Sequence, residues 1–110
     1  MEVEFESSKL QRICEDEKQM VRRFGPKQAA RLMLRLDDLL SADTLEDLRN
    51  NPGRYHELKS NWSGHLSVDL AHPYRLIFRP TDDPPPVSPG GGLDWSKVTA
   101  VTVVRIEDTH

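Results

Sequence analysis

The sequence predicts an α+β fold, an N-terminal strand and a helical hairpin packed on a small, mainly antiparallel sheet. Three observations predict it. Between residues 8 and 40 the apolar side chains recur at helical spacing, and from residue 66 onward they alternate at the period of a strand. Turn-forming clusters (Gly25-Pro26, Asn51-Pro52-Gly53, Ala71-His72-Pro73) separate the periodic segments from one another.

The elements follow in chain order. Glu2 to Glu6 alternates charged and apolar residues, with Val3 and Phe5 on one side, which reads as a first strand. Ser7 or Ser8 caps a helix in which Leu10, Ile13, Cys14, Met20, Val21 and Phe24 share the inner face while Glu15, Asp16, Glu17 and Lys18 point largely outward. Gly25-Pro26 closes that helix and opens the next, since proline suits a first helical turn. The second helix is expected to bury Ala29, Met33, Leu36 and Leu40, flanked by Leu32 and Leu39. A short helical turn lies within Ser41 to Asn50, ended by Asn51-Pro52-Gly53.

His56 to Lys59 leads into the sheet. Leu66, Val68 and Leu70 then alternate with Ser67 and Asp69 in a half-buried strand. Tyr74, Leu76 and Phe78 alternate with Arg75, Ile77 and Arg79, so one face joins the core and the other presents two arginines. Val98 to Ile106 is β-branched on both faces and reads as a central or well-covered strand. The segment from Pro80 to Gly92 is too rich in proline and glycine for regular structure. It is longer than the ~2–5 residues of most hairpin connections. The chain is therefore read as one domain, residues 1–110, with a Pro/Gly-rich loop insertion at about 80–95 and no internal repeat.

Composition narrows the function. Cys14 is the only cysteine, which excludes an intrachain disulfide and a cysteine-rich zinc site; it is read as a small buried hydrophobe. No apolar run approaches the ~20 residues of a membrane-spanning helix. The first residues lack a secretory pattern, so a cytoplasmic protein without membrane contact is expected. The net charge of −3 argues against indiscriminate nucleic-acid binding. The charge is nevertheless uneven. Arg49 to Arg79 carries five Lys/Arg against two Asp/Glu, while the segments on either side are each acidic. A strip of imidazole, amine and guanidinium inside an anionic chain suits a phosphate-bearing ligand.

The four histidines, at 56, 65, 72 and 110, form no local ligand pair, so no metal is expected. There is no Gly-x-Ser-x-Gly elbow, and Gly90-Gly91-Gly92 is followed by neither Lys-Ser/Thr nor a helix pattern. RNA cleavage without a metal or cofactor remains chemically open. It needs a base for the 2′-hydroxyl, cations for the charge developing on phosphorus, and an acid for the leaving 5′ oxygen. His56, Lys59, Arg75, Asp108 and His110 have the chemistry for those parts, and Arg54 and Arg79 are candidate RNA contacts. His65 and His72 are read as strand-edge and turn residues. By charge pattern alone, His56, Lys59, Arg75, Asp108 and His110 would each be an ordinary solvated side chain.

In their order these residues resemble a known family. The succession strand, two helices, strands, together with His56-x-Leu58-Lys59, Gly64-x-x-Ser67, Tyr74-Arg75-Leu76-Ile77-Phe78-Arg79 and the closing Ile106-Glu107-Asp108-Thr109-His110, is similar to the HigB branch of the RelE/ParE toxin superfamily. The resemblance covers most of the chain apart from the 80–95 insertion. It implies a RelE-like fold and a ribosome-dependent mRNA endonuclease, the toxin of a type II toxin–antitoxin pair, which cleaves through the RNA's own 2′-hydroxyl. It also implies a helix-turn-helix, HigA-like antitoxin, with ribosome and mRNA as further partners. By position His56 matches the family's catalytic histidine, Lys59 its active-site lysine, Arg75 its phosphate-binding arginine, and Asp108 and His110 its acidic and terminal histidine positions. Two features depart from the family pattern: Thr109 stands where a tyrosine is common, and the chain is acidic. The alternative is a ParE-like gyrase inhibitor or a catalytically weakened antitoxin-binding module.

Overall fold

The computed structural model describes residues 1–108. It is an α+β arrangement. Among the described residues there are five strands, β1 (Glu2–Phe5), β2 (His56–Glu57), β3 (Leu66–Asp69), β4 (Tyr74–Pro80) and β5 (Ala100–Asp108). They form one sheet in the order β1-β5-β4-β3-β2. The pairings are antiparallel except at β1, which runs parallel to β5 with Val3 beside Val101 and Phe5 beside Val103. The mainly antiparallel sheet and the inner place of β5, which takes residues 100–106 of the expected 98–106 strand, agree with the sequence.

The N-terminal helical region differs from the expectation. Instead of one helix from Ser7 or Ser8 to Phe24 there are two, α1 (Ser8–Cys14) and α2 (Glu17–Phe24). Ser7 caps α1, its hydroxyl accepting from the Leu10 N–H at 3.1 Å. Asp16 is extended and starts α2, its carboxylate accepting from the Lys18 N–H at 2.9 Å. An N-cap side chain satisfies a donor that an unbroken helix would have bonded to its own backbone. The break lets Cys14 and Met20 both reach the core, and it leaves Val21 more than a third exposed.

Helix α3 (Pro26–Ser41) follows Gly25, whose φ of +83° lets the chain reverse before the proline. Its buried stripe is Ala29, Leu32, Leu36 and Leu39; Leu40 is 57% exposed and Met33 only partly buried. A leucine-rich helix contains two overlapping stripes, and periodicity alone does not choose between them. The sheet chooses, because the turn that buries Leu32 and Leu39 also carries Gln28 and Arg35 inward, where both find backbone partners. The Met1 ammonium donates to the last carbonyls of α3, Leu39, Leu40 and Ala42, where positive charge complements the helix dipole.

The core lies between α3 and one face of the sheet: Leu66, Val68, Leu76, Phe78, Val101 and Val103 meet Leu32, Leu36 and Leu39, closed at one end by Leu45, Leu48, Trp95 and Val98. Leu45–Leu48 is a 3₁₀ turn, the short helical turn the sequence anticipates. The 81–99 segment folds back on itself, with a bridge between Val87 and Leu93 and the Asp94 N–H bonded to the Pro86 carbonyl at 3.0 Å. No helix among the described residues is long and apolar enough to cross a membrane.

Candidate active site on the outer face of the sheet

Successive side chains of a strand point to opposite faces, so burying Leu66, Val68, Leu76 and Phe78 turns Ser67, Asp69, Arg75, Ile77 and Arg79 to the face away from the helices. Cross-strand register then sets two rungs on that outer face. One runs His56, Ser67, Ile77, Arg105; the other runs Asp69, Arg75, Glu107. A bulge in β5 opposite Ile77 and Phe78 keeps both core and outer residues in step.

The chain before β2 is held from below. Arg35 of α3, 5% exposed, donates to the Asp69 carbonyl at 3.0 Å and to the Pro52 carbonyl at 3.0 Å, and pairs with Asp38 at 3.4 Å. Asp38 also accepts from the Tyr55 hydroxyl at 3.1 Å. Burial, reinforced by Asp38, pushes that phenol well above its usual range, so it stays a donor. Gly53, at φ +105°, packs on the same guanidinium: a Cβ there would lie 2.8 Å from Arg35 Cζ and 2.7 Å from Val68 Cγ2. Two turns earlier on α3, Gln28 donates to the Ala71 carbonyl and accepts from the Ala71 N–H, at 3.0 and 2.9 Å. Two buried polar side chains of one helix thus fix the loops carrying Arg54 and His56 and the turn carrying His72.

These loops and β4 enclose a cavity of ≈ 210 Å³ lined by Arg54, His56, Ser67, Asp69, His72 and Arg75, with Leu70, Pro73 and Tyr74 completing it. His56 Nδ1 lies 2.7 Å from the Arg54 carbonyl. A carbonyl only accepts, so Nδ1 carries the hydrogen, and in the neutral ring Nε2 is the basic nitrogen. Ser67 Oγ is 3.5 Å from Nε2. The ring is thus oriented by backbone and offers its basic side.

The arginines of this face are already engaged. Arg54 grips Asp69 with a two-pronged contact, 2.7 Å from Nε and 3.2 Å from Nη2, and that bond raises the guanidinium pKa further. Arg75 Nη2 is 3.0 Å from Glu107, and Arg79 Nη2 is 3.2 Å from Glu6. The cationic strip read from the sequence is therefore locally neutralised in the free chain. Asp69 and Glu107, distant in sequence, are brought beside the arginines by sheet register. Arg75 Nε is buried with no hydrogen-bond partner among the described residues. A phosphate entering the site meets guanidinium groups already paired with carboxylates, a smaller net gain than filling a bare guanidinium.

Of the residues singled out by sequence, the cavity brings together Arg54, His56 and Arg75. Lys59 is exposed, next to the 3₁₀ turn Ser60–Trp62, and is not among the residues lining the cavity. Arg79 lies farther along β4 in a separate cleft with Glu6, Thr81 and Thr102. Asp108 is opposite Tyr74, so the pleat turns it to the face away from Arg75; Glu107 is the acid facing that arginine. His110 lies outside the described residues. Sequence reasoning passed over Ser67, Asp69 and His72. The first two were legible as the outer phase of a Leu-x-Val-x-Leu strand; His72, read as a turn residue, carried no such signal. Among the described residues no three His, Cys, Asp or Glu side chains gather as a metal site.

Comparison with known proteins gives this geometry a family. The chain is similar over its whole length to two solved structures, each at 16% identity. One is the YoeB-YefM complex from Staphylococcus aureus, with a TM-score of 0.56 and 98% of that chain covered. The other is a YoeB/ParE toxin from Agrobacterium tumefaciens, with a TM-score of 0.52 and 100% covered. These likenesses establish the fold. No curated protein matches. The model of the HigB-like toxin family, described as RelE-like toxin of type II toxin–antitoxin system HigB, matches residues 3–84, which run from Val3 of β1 past the end of β4 and include all of the cavity lining. The chain belongs to the HigB-like family of RelE-like toxins of type II toxin–antitoxin systems.

Proposed function

We propose that this toxin is a metal-independent endoribonuclease that cleaves mRNA on the ribosome. In this reading His56 Nε2 takes the proton from a 2′-hydroxyl and O2′ attacks the adjacent phosphorus. The bond to O5′ breaks, leaving a 2′,3′-cyclic phosphate and a 5′-hydroxyl. Arg75 and Arg54 carry the charge that develops on the phosphoryl oxygens, and Lys59 adds positive charge at the edge where the strand begins. The leaving oxygen needs a proton, for which the chain offers His72 in the cavity and His110, with Asp108 two residues before it in sequence.

The observation that carries the reading is the backbone-fixed His56 ring in one cavity with two arginines. The test is short induction in growing cells followed by mapping of RNA 5′ ends. Cuts inside translated codons are expected, with His56→Gln and Arg75→Lys each reducing them roughly 100-fold or more. Equal growth arrest by wild type and both variants, with mRNA intact, refutes it. Comparing His72→Ala with His110→Ala identifies the proton donor by which loses more activity.

We also infer a cytoplasmic protein neutralised by a helix-turn-helix, HigA-like antitoxin; the family and the complexed state of the Staphylococcus aureus relative support a partner of that kind. A second reading has one observation in its favour, the neutralisation of Arg54, Arg75 and Arg79 by carboxylates. It makes the chain a ParE-like gyrase inhibitor or an antitoxin-binding module with little nuclease activity. Gyrase inhibition predicts a DNA-damage response with mRNA spared.

A further inference from the structure

Ser67 and Ile77 are fully buried although both point away from the helices, and Ile77 stands outside the main core cluster. Something covers the outer face there. Trp62, in the connection between β2 and β3, is the group the geometry identifies. Its ring centroid is 5.5 Å from the Arg105 guanidinium carbon. Arg105 lies on β5, across β4 from β3 and directly opposite Ile77. The contact therefore spans the outer face over the rung His56, Ser67, Ile77, Arg105. His65 meets the same ring edge-on, with centroids 5.1 Å apart.

This pair is wired to the candidate site. Arg105 Nη1 is 3.7 Å from Glu107 Oε1, and the other oxygen of that carboxylate is 3.0 Å from Arg75 Nη2. A continuous series, Arg75, Glu107, Arg105, Trp62, thus joins a phosphate-competent guanidinium to an aromatic plane. The indole is only partly buried, and the Arg105 side chain is 59% exposed. Stacked aromatic and guanidinium planes are the two surfaces on which proteins seat an unpaired nucleobase, since every base has a π face. The other tryptophan has no such freedom. Trp95 is 4% exposed, its N–H donates to Glu57 at 3.0 Å, and Arg49 covers its ring at 4.1 Å.

We propose that Trp62 and Arg105 form the base-stacking platform of the site, seating a nucleobase of single-stranded RNA beside the phosphate held at Arg75. The proposal rests on the nuclease reading and gives it a determinant of substrate affinity outside the cavity. Glu107 becomes the hinge between phosphate and base recognition, because it contacts both guanidinium groups.

The test uses full-length protein and an uncleavable 2′-O-methyl trinucleotide as probe. In a Trp95→Phe background, saturable quenching of the remaining tryptophan fluorescence is expected on titration. Binding and ribosome-dependent cleavage are then compared for Trp62→Phe, Trp62→Leu and Arg105→Lys, after thermal melts establish that each is folded. Stacking predicts near wild-type affinity for Phe, a roughly 10–100-fold loss for Leu, and an intermediate loss for Lys, which keeps the charge without the plane. A purely structural indole predicts that Phe and Leu behave alike. That result, or wild-type cleavage with no quenching, overturns the platform while leaving the nuclease intact. A protein that neither cleaves nor quenches overturns both. A misfolded Leu variant leaves the decision to the quenching and to Arg105→Lys.

Discussion

Glu107 illustrates how much a single carboxylate decides at the residue scale. It holds Arg75 and approaches Arg105, so it is both the organiser of the outer face and the competitor of any phosphate that enters. The amide in Glu107→Gln keeps the size and one acceptor but removes the charge. Short single-stranded RNA should therefore bind several-fold more tightly to this variant at low salt, and fluorescence anisotropy across a salt series should show a steeper salt dependence. Weaker binding would mean that the carboxylate's positioning of Arg75 matters more than its competition. Gly53 is the second residue with a sharp consequence. Gly53→Ala combines a left-handed φ with a Cβ pressed on Val68 and the fixed Arg35 guanidinium. Chemical denaturation should find it about 2–4 kcal/mol less stable, well beyond the ~1 kcal/mol typical of a point mutation.

Among the elements, α3 is the one that makes the site. Its apolar stripe holds the sheet while Gln28 and Arg35 tie down the turn at Ala71 and the loop at Pro52. Arg35→Met keeps much of the buried volume but takes the guanidinium away from the Asp69 and Pro52 carbonyls and leaves Asp38 with Tyr55 but without its cation. A loss of about 3 kcal/mol is expected by denaturant titration. Hydrogen exchange should show residues 52–56 opening more readily than β4 and β5.

The same elements show what a sequence can disclose. β3, β4 and β5 announced themselves because Leu66-x-Val68-x-Leu70, Leu76-x-Phe78 and the β-branched 98–106 run each carry a strand period. That period also put Arg75 on the correct face. The helix break at Asp16 was hidden because Glu15, Asp16 and Glu17 look equally natural on the wet side of one long helix; an Asp before an acidic first turn was the overlooked cap signal. The buried stripe of α3 was ambiguous for want of the sheet that selects it. The ion pairs Arg54–Asp69 and Arg75–Glu107 depend on register, which no local pattern encodes. Assigning the facing acid to Asp108 instead of Glu107 was a one-residue difference, enough to change faces.

For the molecule as a whole, the buried Cys14 thiol and Tyr55 phenol set an alkaline limit. Burial, with help from Glu15, pushes the thiol from an ordinary value of 9.0 to about 12. Between those values the folded chain keeps a proton that the unfolded chain releases, so stability is complete below pH 9 and declines as pH rises toward 12. Tyr55, also raised by burial, adds to the decline above pH 10. Melting curves should fall progressively from pH 9 upward. Cys14→Ala should flatten the first part of that fall, although the vacated methylene-sized space lowers its melting temperature at neutral pH.

The parallel pairing of β1 with β5 has a consequence in time. Glu2 to Phe5 are made nearly a hundred residues before Ala100 to Val103, their neighbours in the sheet. Until those residues exist, the opening strand has an unmet edge and Arg75 has no Glu107 to hold it. A nascent polypeptide short of that point owns the histidine and the arginines but not the sheet that aligns them. Assembly of the outer-face site thus waits on nearly a hundred further peptide bonds.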